Sequence, residues 1–370
     1  MLQFNVSRNV ALLPISLYTL GFVFGPCIAA PISELHGHRV VYRTNIIMLV
    51  IFSAIAAASD NFVVLVVFRF LAGVGGSGVM AVGAGTLSDL WLPSYLSRVG
   101  VAYILAPFLG PSMGPLIGAY SIAQYDDWKW AIWTVLCILA PVVVGVFYAS
   151  ETSKTRILYI RAKKRGHAVK GQSLRVELQK IAQIMVKPWH IFAVMFSFFG
   201  SYAYVYSQVY AFDTKQTGLC YIGVIVGILF WLVTFAFFDA VVYQKQVVKT
   251  GDKVAPEYYL CAALFGSFLI PISLFWYAWA PRESIHWIVP VLAGLPFGWG
   301  TLASFLACLA YLTAAYGPED LASAFAANGI VRYTLGAVFP MFIIQCSISS
   351  GALAVLLEGQ GVEKEEPLQD

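Results

Sequence analysis

Long apolar stretches alternate with short polar ones along almost the whole chain. About 20 apolar residues in a helix span the hydrocarbon core of a bilayer. Stretches near that length lie at 10–31, 41–58, 62–86, 99–122, 129–149, 189–211, 217–241, 259–280, 286–313 and 323–346. Helices satisfy their own backbone hydrogen bonds in lipid, so this pattern predicts an all-α membrane protein with about ten transmembrane helices.

The composition agrees with a multi-pass membrane protein. Hydrophobic residues make up 59% of the chain and charged residues 11%, whereas soluble proteins contain about 25% charged residues. The net charge of +4 gives no reason to expect a nucleic-acid partner. The six cysteines lack metal-binding spacing, and the histidines lie in loops or at span edges, so we expect no metal site and no enzyme.

Basic residues are concentrated in alternate loops. The loop 150–188 contains ten lysines and arginines, and the loops 32–40 and 242–258 lie on the same side if the spans alternate. Because cytoplasmic loops are enriched in lysine and arginine, this side is predicted to be cytoplasmic. The long loop also separates five spans from five.

We therefore predict four regions. They are an N-terminal bundle at 1–149, a basic cytoplasmic linker at 150–188, a C-terminal bundle at 189–346 and an acidic polar tail at 347–370. Leu174, Leu178, Ile181 and Met185 share one helical face, which predicts an amphipathic helix within the linker.

Several segments carry a resemblance to a known family. They include "GPCIAAPISELHGHRVVYR" (25–43), "FRFLAGVGGSGVMAVGAGTLSDLW" (68–91), "LGPSMGPLIGAY" (109–120) and "SAFAANGIVRYTLGAVFPMF" (323–342). Together they resemble the major facilitator superfamily, and more narrowly its fungal drug:proton antiporter branch, which also contains polyamine exporters. The resemblance implies a two-bundle fold in which these ten spans match family helices 2 to 11 of twelve, with the first and last helices lacking.

The resemblance also implies a function. We expect proton-coupled efflux of small amphiphilic or cationic compounds by alternating access, with a proton gradient and no cofactor. The protein would act as a monomer in the plasma membrane or the vacuolar membrane. The alternatives are a polyamine exporter and a truncated relic that does not transport.

The stretch 109–120 predicts a helix seam. Gly110, Gly114 and Gly118 lie four residues apart on one face, where small residues allow close packing in lipid, and Pro111 and Pro115 allow bending. The resemblance identifies this stretch as the antiporter signature of family helix 5. The alternative is tight packing with no bearing on the direction of transport.

A charged turn predicts a conformational lock. In "APISELHGHR", Gly37 permits a tight turn, while Glu34 and Arg39 can pair with neighbouring helix ends, including the helix starting near Ala322. Asp89, at the end of the third span, is the expected partner of Arg39 or Arg43. The alternative is a solvated loop whose charges contribute little.

Charged residues inside the spans are candidates for proton coupling. Arg69 lies about 10 Å into its span at 1.5 Å per residue, and Arg332 lies within the last span. No carboxylate occupies the interior of a predicted span, and Asp239 lies nearest to one. The resemblance gives Arg69 a coupling role; the alternative is a structural arginine bonded to carbonyl groups.

Aromatic residues in two spans predict a substrate cavity. Tyr202 and Tyr206 share a helical face near Gln208, and "GLPFGWG" predicts a helix interrupted at Pro296 beside Phe297 and Trp299. The alternative for the tyrosines is an aromatic belt at the membrane interface.

Overall fold

The structure is a computed structural model. It describes residues 4, 6, 8–91, 93–165, 202, 205–207, 209–238, 257–282, 285–315, 329, 332–334 and 336–338. Its helices are α1 (Arg8–Ala11), α2 (Leu13–His36), α3 (His38–Ala58), α4 (Phe62–Leu90), α5 (Pro93–Tyr125), α6 (Lys129–Tyr148), α7 (Lys154–Lys164), α8 (Thr214–Cys220), α9 (Ile222–Phe238), α10 (Glu257–Trp279), α11 (Ile288–Leu292) and α12 (Gly294–Ala315).

Most of the predicted spans coincide with these helices. Within the described ranges, seven segments are long and apolar enough to cross a membrane: Leu13–Ser33, His38–Ala58, Phe62–Leu87, Val99–Tyr125, Lys129–Tyr148, Thr214–Phe237 and Ile288–Ala307. The predicted span 259–280 coincides with α10. Most of 189–211 and 323–346 lies outside the described residues, so the count of ten stays a prediction.

The regions between and after the bundles are described only in part. Helix α7 covers the beginning of the predicted linker. The predicted amphipathic helix around 174–185 and the tail 347–370 lie outside the described residues.

Capping side chains help to define where the helices begin. The Asn61 side chain accepts a hydrogen bond from the Val63 amide at 2.9 Å, which satisfies one of the free amides at the start of α4. Asp213 and Gln216 form a capping box at the start of α8.

In the N-terminal half, α4 packs along both α2 and α3. Glycines permit the close approach to α2. A Cβ at Gly21 would lie 2.5 Å from the Phe70 carbonyl oxygen, and one at Gly73 would lie 2.2 Å from the Tyr18 carbonyl oxygen. In lipid, such close backbone contact replaces the hydrophobic effect as the source of helix association.

In the C-terminal half, α12 packs along α9 and α10. A Cβ at Gly227 would lie 2.2 Å from the Leu295 carbonyl oxygen, and one at Gly298 would lie 2.5 Å from the Val224 carbonyl oxygen. Helix α5 of the N-terminal half contacts α8, α9 and α12. It therefore provides much of the described contact between the halves.

Candidate functional site

A single residue, Gly37, connects α2 and α3 on the predicted cytoplasmic side. Its φ of +93° lies outside the range that residues with a Cβ readily adopt. Its amide donates to the Ser33 carbonyl at 2.8 Å, which ends α2. A Cβ on Gly37 would also lie 2.5 Å from Oε2 of Glu151. Both the backbone conformation and the nearby carboxylate therefore favour glycine.

Glu151 is the main hydrogen-bond acceptor at this turn. Its Oε1 accepts from the amides of His38 at 2.9 Å, Thr152 at 3.0 Å and Ser153 at 3.0 Å. Its Oε2 accepts from the amide of Arg39 at 3.2 Å. A carboxylate at the start of α3 satisfies free amides and complements the helix dipole. Glu151 thereby joins α3 to the segment that leads into α7.

Polar side chains extend this junction to α4. The His38 ring is 5% exposed, and its Nδ1 lies 3.2 Å from the Thr152 hydroxyl and 3.1 Å from the Thr86 hydroxyl. The Thr86 hydroxyl lies 2.7 Å from the Tyr42 hydroxyl. His38 therefore connects α3 with α4 through hydrogen bonds rather than standing in solvent.

Asp89 has a different partner from the one predicted. Its Oδ2 accepts from the Lys154 amide at 3.1 Å, so it caps the start of α7. The predicted pairing with Arg39 or Arg43 is wrong for this structure, because α7 presents a free amide at the end of α4. The Arg43 guanidinium instead donates to the Phe147 carbonyl and lies 5.5 Å from the Phe147 ring centroid.

Three of the predicted lock residues, Gly37, Arg39 and Asp89, thus lie near the same junction. The Glu34 side chain and the helix expected near Ala322 lie outside the described part of the chain. The release of the junction during transport stays a prediction.

The glycine face of α5 forms the predicted seam only in part. No described atom lies within 4 Å of a Cβ built on Gly110 or Gly114, and at Gly118 the nearest is the Ala131 Cβ at 3.8 Å. Pro111 is exposed as well. For Gly110, Pro111 and Gly114 the prediction is wrong, because the rotation of α5 directs them away from the described part of the other half. Pro115 and Gly118 of the predicted seam do lie at the contact with the other half, where both line a cavity beside Gly218.

The side of α5 that carries Ser112, Pro115 and Ala119 packs against α8. A Cβ on Gly218 would lie 2.8 Å from the Ala119 Cβ, 3.4 Å from the Leu116 Cα and 3.4 Å from the Pro115 carbonyl oxygen. Ser112, one helical turn before Leu116, is buried. The glycine that permits close contact between the halves therefore belongs to α8.

A cavity of about 380 Å³ lies beside Gly218, at the predicted outer end of α5. The C-terminal half lines it with the hydroxyl groups of Ser207, Thr214 and Thr217 and the rings of Phe212 and Tyr221. Small and apolar residues of α5 complete the described lining, and none of the lining residues that the structure describes is charged. Such a cavity suits an uncharged or weakly polar group.

Tyr202 and Tyr206 lie in the core of the C-terminal half. Both are 0% exposed. The ring of Tyr202 stacks on Tyr277 at a centroid distance of 5.0 Å and meets Tyr206 edge-on at 5.2 Å. Neither tyrosine lines the cavity described above. Their contact with substrate stays a prediction, and Gln208 lies outside the described residues.

The interruption predicted at Pro296 lies three residues earlier. Helix α11 ends at Leu292 and α12 begins at Gly294, so Pro296 occupies the first turn of α12, where proline is tolerated. The Ala293 carbonyl between the two helices accepts from the Ser273 hydroxyl at 2.6 Å. The position of the break in the prediction was therefore wrong, although a break is present.

Phe297 and Trp299 contact other helices. Phe297 is 1% exposed within the core of the C-terminal half. Trp299 donates from Nε1 to the Thr234 hydroxyl of α9 at 3.0 Å. Their predicted role in a substrate cavity is not tested by these contacts.

Arg69 lies between α4 and α2. Its guanidinium carbon is 5.8 Å from the ring centroid of Tyr18, within the usual distance of a cation–π contact of about 6 Å. The side chain is partly buried, in agreement with the expectation that it contacts protein. Its role in coupling stays a prediction, and Asp239 is not among the described residues.

Arg332 contacts aromatic rings near the boundary of the two halves. Its guanidinium carbon lies 5.0 Å from the ring centroid of Phe305 and 4.3 Å from that of Tyr333, and the group donates to the Tyr333 hydroxyl. Phe305 in turn packs against Phe108 of α5 at a centroid distance of 4.9 Å.

Tyr333 connects this group to α4. Its hydroxyl donates to Sδ of Met80 at 2.8 Å, and Tyr103 donates to the Met80 carbonyl. Met80 precedes Asp89 by nine residues, so it lies about 14 Å along α4 from the predicted cytoplasmic end. Both halves therefore touch on the predicted cytoplasmic side of the membrane midplane. We call this group the inner contact: Met80, Phe108, Phe305 and Tyr333.

Sequence reasoning missed Glu151, Met80 and Tyr333. Glu151 had a local signal, because it follows a span and precedes the N-cap Ser153 in "SETS". Met80 and Tyr333 had none, since an apolar residue within a span can face lipid, its own bundle or the other half.

These elements define a multi-pass α-helical membrane protein. Its two halves are in contact at two different depths along the helices, one near Met80 and one near Gly218. The sequence profile of the Major Facilitator Superfamily matches residues 1–340. The chain therefore belongs to the Major Facilitator Superfamily, and the resemblance and fold class predicted from the sequence are confirmed.

Fungal transporters are among the relatives. The chain is 31% identical to "Polyamine transporter 4" of Saccharomyces cerevisiae, over 93% of this chain and 59% of that protein. It is 33% identical to "Efflux pump FUB11" of Gibberella fujikuroi, over 92% and 64%. It is 31% identical to "Major facilitator superfamily multidrug transporter mdrA" of Aspergillus fumigatus, over 92% and 60%. The chain thus spans less than two thirds of the length of these three relatives.

Solved structures share the fold. The human organic anion transporter MFSD10 superimposes with a TM-score of 0.64 at 16% identity, covering 95% of this chain and 80% of that one. The xylose transporter XylE from E. coli superimposes with a TM-score of 0.61 at 17% identity, covering 97% and 90%. At these identities the likeness concerns the fold alone.

Proposed function

We propose that this protein exports small amphiphilic or cationic compounds by alternating access. The observation that carries the proposal is the presence of two separate contacts between the halves. One is the inner contact, and the other is the packing of α5 on Gly218 beside the outer cavity. Two bundles that meet at two levels can open at one level and stay closed at the other, as alternating access requires.

The lining of the outer cavity supports the substrate class. Its volume of about 380 Å³ lies in the range of ligand pockets, about 300–1,000 Å³. The described lining holds hydroxyl-bearing and aromatic residues and no carboxylate. This favours amphiphilic compounds over polyamines, whose several positive charges need acidic partners. The names of the fungal relatives include efflux pumps, a multidrug transporter and a polyamine transporter, and they support export of one of these classes.

We further propose that a proton gradient drives the export and that Arg69 takes part in coupling. A positive charge between α2 and α4 can lower the pKa of an acid that approaches it and so promote proton release. The protein would act as a monomer in the plasma membrane or the vacuolar membrane. A transport-incompetent relic is the competing possibility.

Expression in a pump-deficient yeast tests the proposal. Cells producing the chain are expected to accumulate less of a fluorescent cationic dye than cells without it, and spermidine accumulation is measured in parallel. Lower spermidine with unchanged dye supports the polyamine exporter instead. Unchanged levels of both, with the protein present at the cell surface, favour the relic.

A matched pair of variants tests the cavity. Thr217→Trp fills it, whereas Phe237→Trp changes a ring that is 70% exposed on α9. The indole would occupy space that the substrate needs, and a loss of about 1.4 kcal/mol of binding corresponds to about a tenfold reduction of efflux. Phe237→Trp is expected to leave efflux unchanged at equal protein level. Normal efflux by Thr217→Trp removes the cavity from the transport path.

Coupling is tested at Arg69. Arg69→Ala removes both the charge and the planar donor group, and it is expected to abolish the response of efflux to an imposed pH gradient while substrate binding persists. Arg69→Lys keeps the charge but loses the planar donor group, and it is expected to retain part of the response. A stable Arg69→Ala protein with normal gradient-driven efflux excludes Arg69 from coupling.

A further inference from the structure

Helix α7 carries a basic surface that the proposed transport cycle does not use. Lys154, Leu158, Arg161 and Arg165 follow one another at intervals of four, three and four residues, so they lie along one helical face. All four side chains are exposed, with Leu158 at 63%. The face therefore presents cations on both sides of an apolar side chain.

The charge of this segment has one sign. Residues 154–165 contain six basic residues and no acidic ones. Lys163 is also exposed, and the apolar side chain of Ile160 is 40% exposed. Positive charge at this density attracts anionic groups.

Hydrogen bonds hold α7 against the cytoplasmic ends of α2 and α4. Asp89, near the end of α4, accepts from the Lys154 amide at 3.1 Å. The Arg156 guanidinium donates to the Leu35 carbonyl at 3.4 Å. Helix α7 begins six residues after the membrane-spanning α6 ends. It is therefore fixed near the predicted inner surface of the bilayer.

We propose that α7 binds the headgroups of anionic lipids in the cytoplasmic leaflet. Clusters of four to eight lysines and arginines directly beside a transmembrane helix are attracted by the negative potential of that leaflet. The exposed Leu158 lies among the cations of this face, and such a mixed surface matches an interface of acyl chains and phosphate groups better than it matches a fully aqueous anion. The occupant is thus a phospholipid with a net negative headgroup, such as phosphatidylserine.

The lipid contact would act on a junction of the transporter. The same segment that holds α7 also holds the Gly37 turn, through Glu151. Lipid binding on α7 therefore stabilises the arrangement in which α2, α3 and α4 are joined on the predicted cytoplasmic side.

Lipid retention measures the binding directly. The full chain is placed in nanodiscs of phosphatidylcholine with about 20% phosphatidylserine, released gently, and its bound lipids are counted by mass spectrometry. The triple variant Arg161→Gln, Lys163→Gln, Arg165→Gln is expected to lose phosphatidylserine about fivefold or more relative to phosphatidylcholine. About 0.5 M salt is expected to have a similar effect on the unchanged chain.

Two controls separate charge from structure. Arg161→Lys with Arg165→Lys keeps the charges and is expected to retain phosphatidylserine. Lys215→Gln with Arg282→Gln removes charges on the opposite, predicted outer side and is also expected to retain it. The thermal midpoint of each variant in phosphatidylcholine alone shows whether the fold is intact.

Three outcomes overturn the proposal: equal phosphatidylserine in the triple variant and the unchanged chain, loss of phosphatidylserine in the lysine variant, or loss in the outer-side control. If the triple variant retains phosphatidylserine but no longer binds polyglutamate, the surface is assigned to an acidic peptide instead. Lipid counting does not require transport, so these outcomes are independent of the proposed export.

Discussion

At the residue scale, one carboxylate organises the predicted cytoplasmic junction. Glu151 accepts four backbone hydrogen bonds, two from the start of α3 and two from the segment before α7. Free amides at a helix start are costly when they are shielded from water. Glu151 therefore contributes to stability by accepting backbone hydrogen bonds both from its own segment and from the distant start of α3.

Substitution of Glu151 tests this view. Glu151→Ala is expected to destabilise the protein by about 2 kcal/mol, because hydrogen bonds to a charged group typically contribute about 1.5–3 kcal/mol each and part of that is regained from water. Glu151→Gln keeps one carbonyl acceptor and is expected to cost less. The measurement is the thermal midpoint in detergent, followed with a thiol-reactive dye.

Asp126→Asn is the control for Glu151. Asp126 is an exposed acid with a positive φ of 54°, which asparagine also tolerates. The thermal midpoint of the Asp126→Asn variant is expected to equal that of the unchanged protein. Equal midpoints for Glu151→Ala and Asp126→Asn would contradict the assigned role.

At the scale of elements, α5 shows that rotation decides which small residues matter. The helix continues through Pro107, Pro111 and Pro115, and its Gly110–Gly114 face has no described neighbour within 4 Å. The opposing contact uses Gly218 of α8 instead. A doubled glycine spacing indicates a possible close contact, and only the arrangement of helices selects the face that is used.

A pair of glycine variants distinguishes the two faces. Gly218→Leu is expected to separate α8 from α5 and to lower the thermal midpoint, because its Cβ alone would stand 2.8 Å from the Ala119 Cβ. Overpacking of this kind costs about 1–3 kcal/mol. Gly114→Leu enters open space and is expected to have a smaller effect. If Gly114→Leu lowers the thermal midpoint more than Gly218→Leu does, the Gly110–Gly114 face of α5 is the closer contact.

At the scale of the whole molecule, the inner contact couples the halves through few side chains. Tyr333 reaches Met80 of α4, while Phe305 of α12 reaches Phe108 of α5. A contact made in one state and broken in another changes the balance between them by its own free energy.

Removal of the Tyr333 ring is expected to favour opening on the predicted cytoplasmic side. In a chain without its own cysteines, Thr217→Cys reports access to the outer cavity through labelling by an impermeant thiol reagent. Adding Tyr333→Ala is expected to slow this labelling about tenfold if about 1.4 kcal/mol of contact is lost. Tyr120→Ala, at a ring that is 45% exposed on α5, is the control and is expected to leave the rate unchanged. An unchanged rate in both variants would mean that the inner contact does not set the balance.

The membrane class, the all-α fold and the superfamily could be predicted from the sequence. Apolar length is a local property, and a bilayer imposes the same length on every helix that crosses it. Gly37 was also predictable as a turn, because a glycine between two spans has few other structural roles. The resemblance at 25–43, 68–91 and 109–120 supplied the family.

The partners of particular side chains could be decided only by the tertiary structure. Asp89 caps α7 instead of pairing with Arg39 or Arg43, and Tyr202 packs on Tyr277 instead of lining the cavity beside Gly218. These outcomes depend on how each helix is rotated and on which distant helix lies beside it. In a span that is apolar on all sides, the sequence alone determines that a helix forms and crosses the bilayer, while the packing of the bundle determines which face meets protein and which meets lipid.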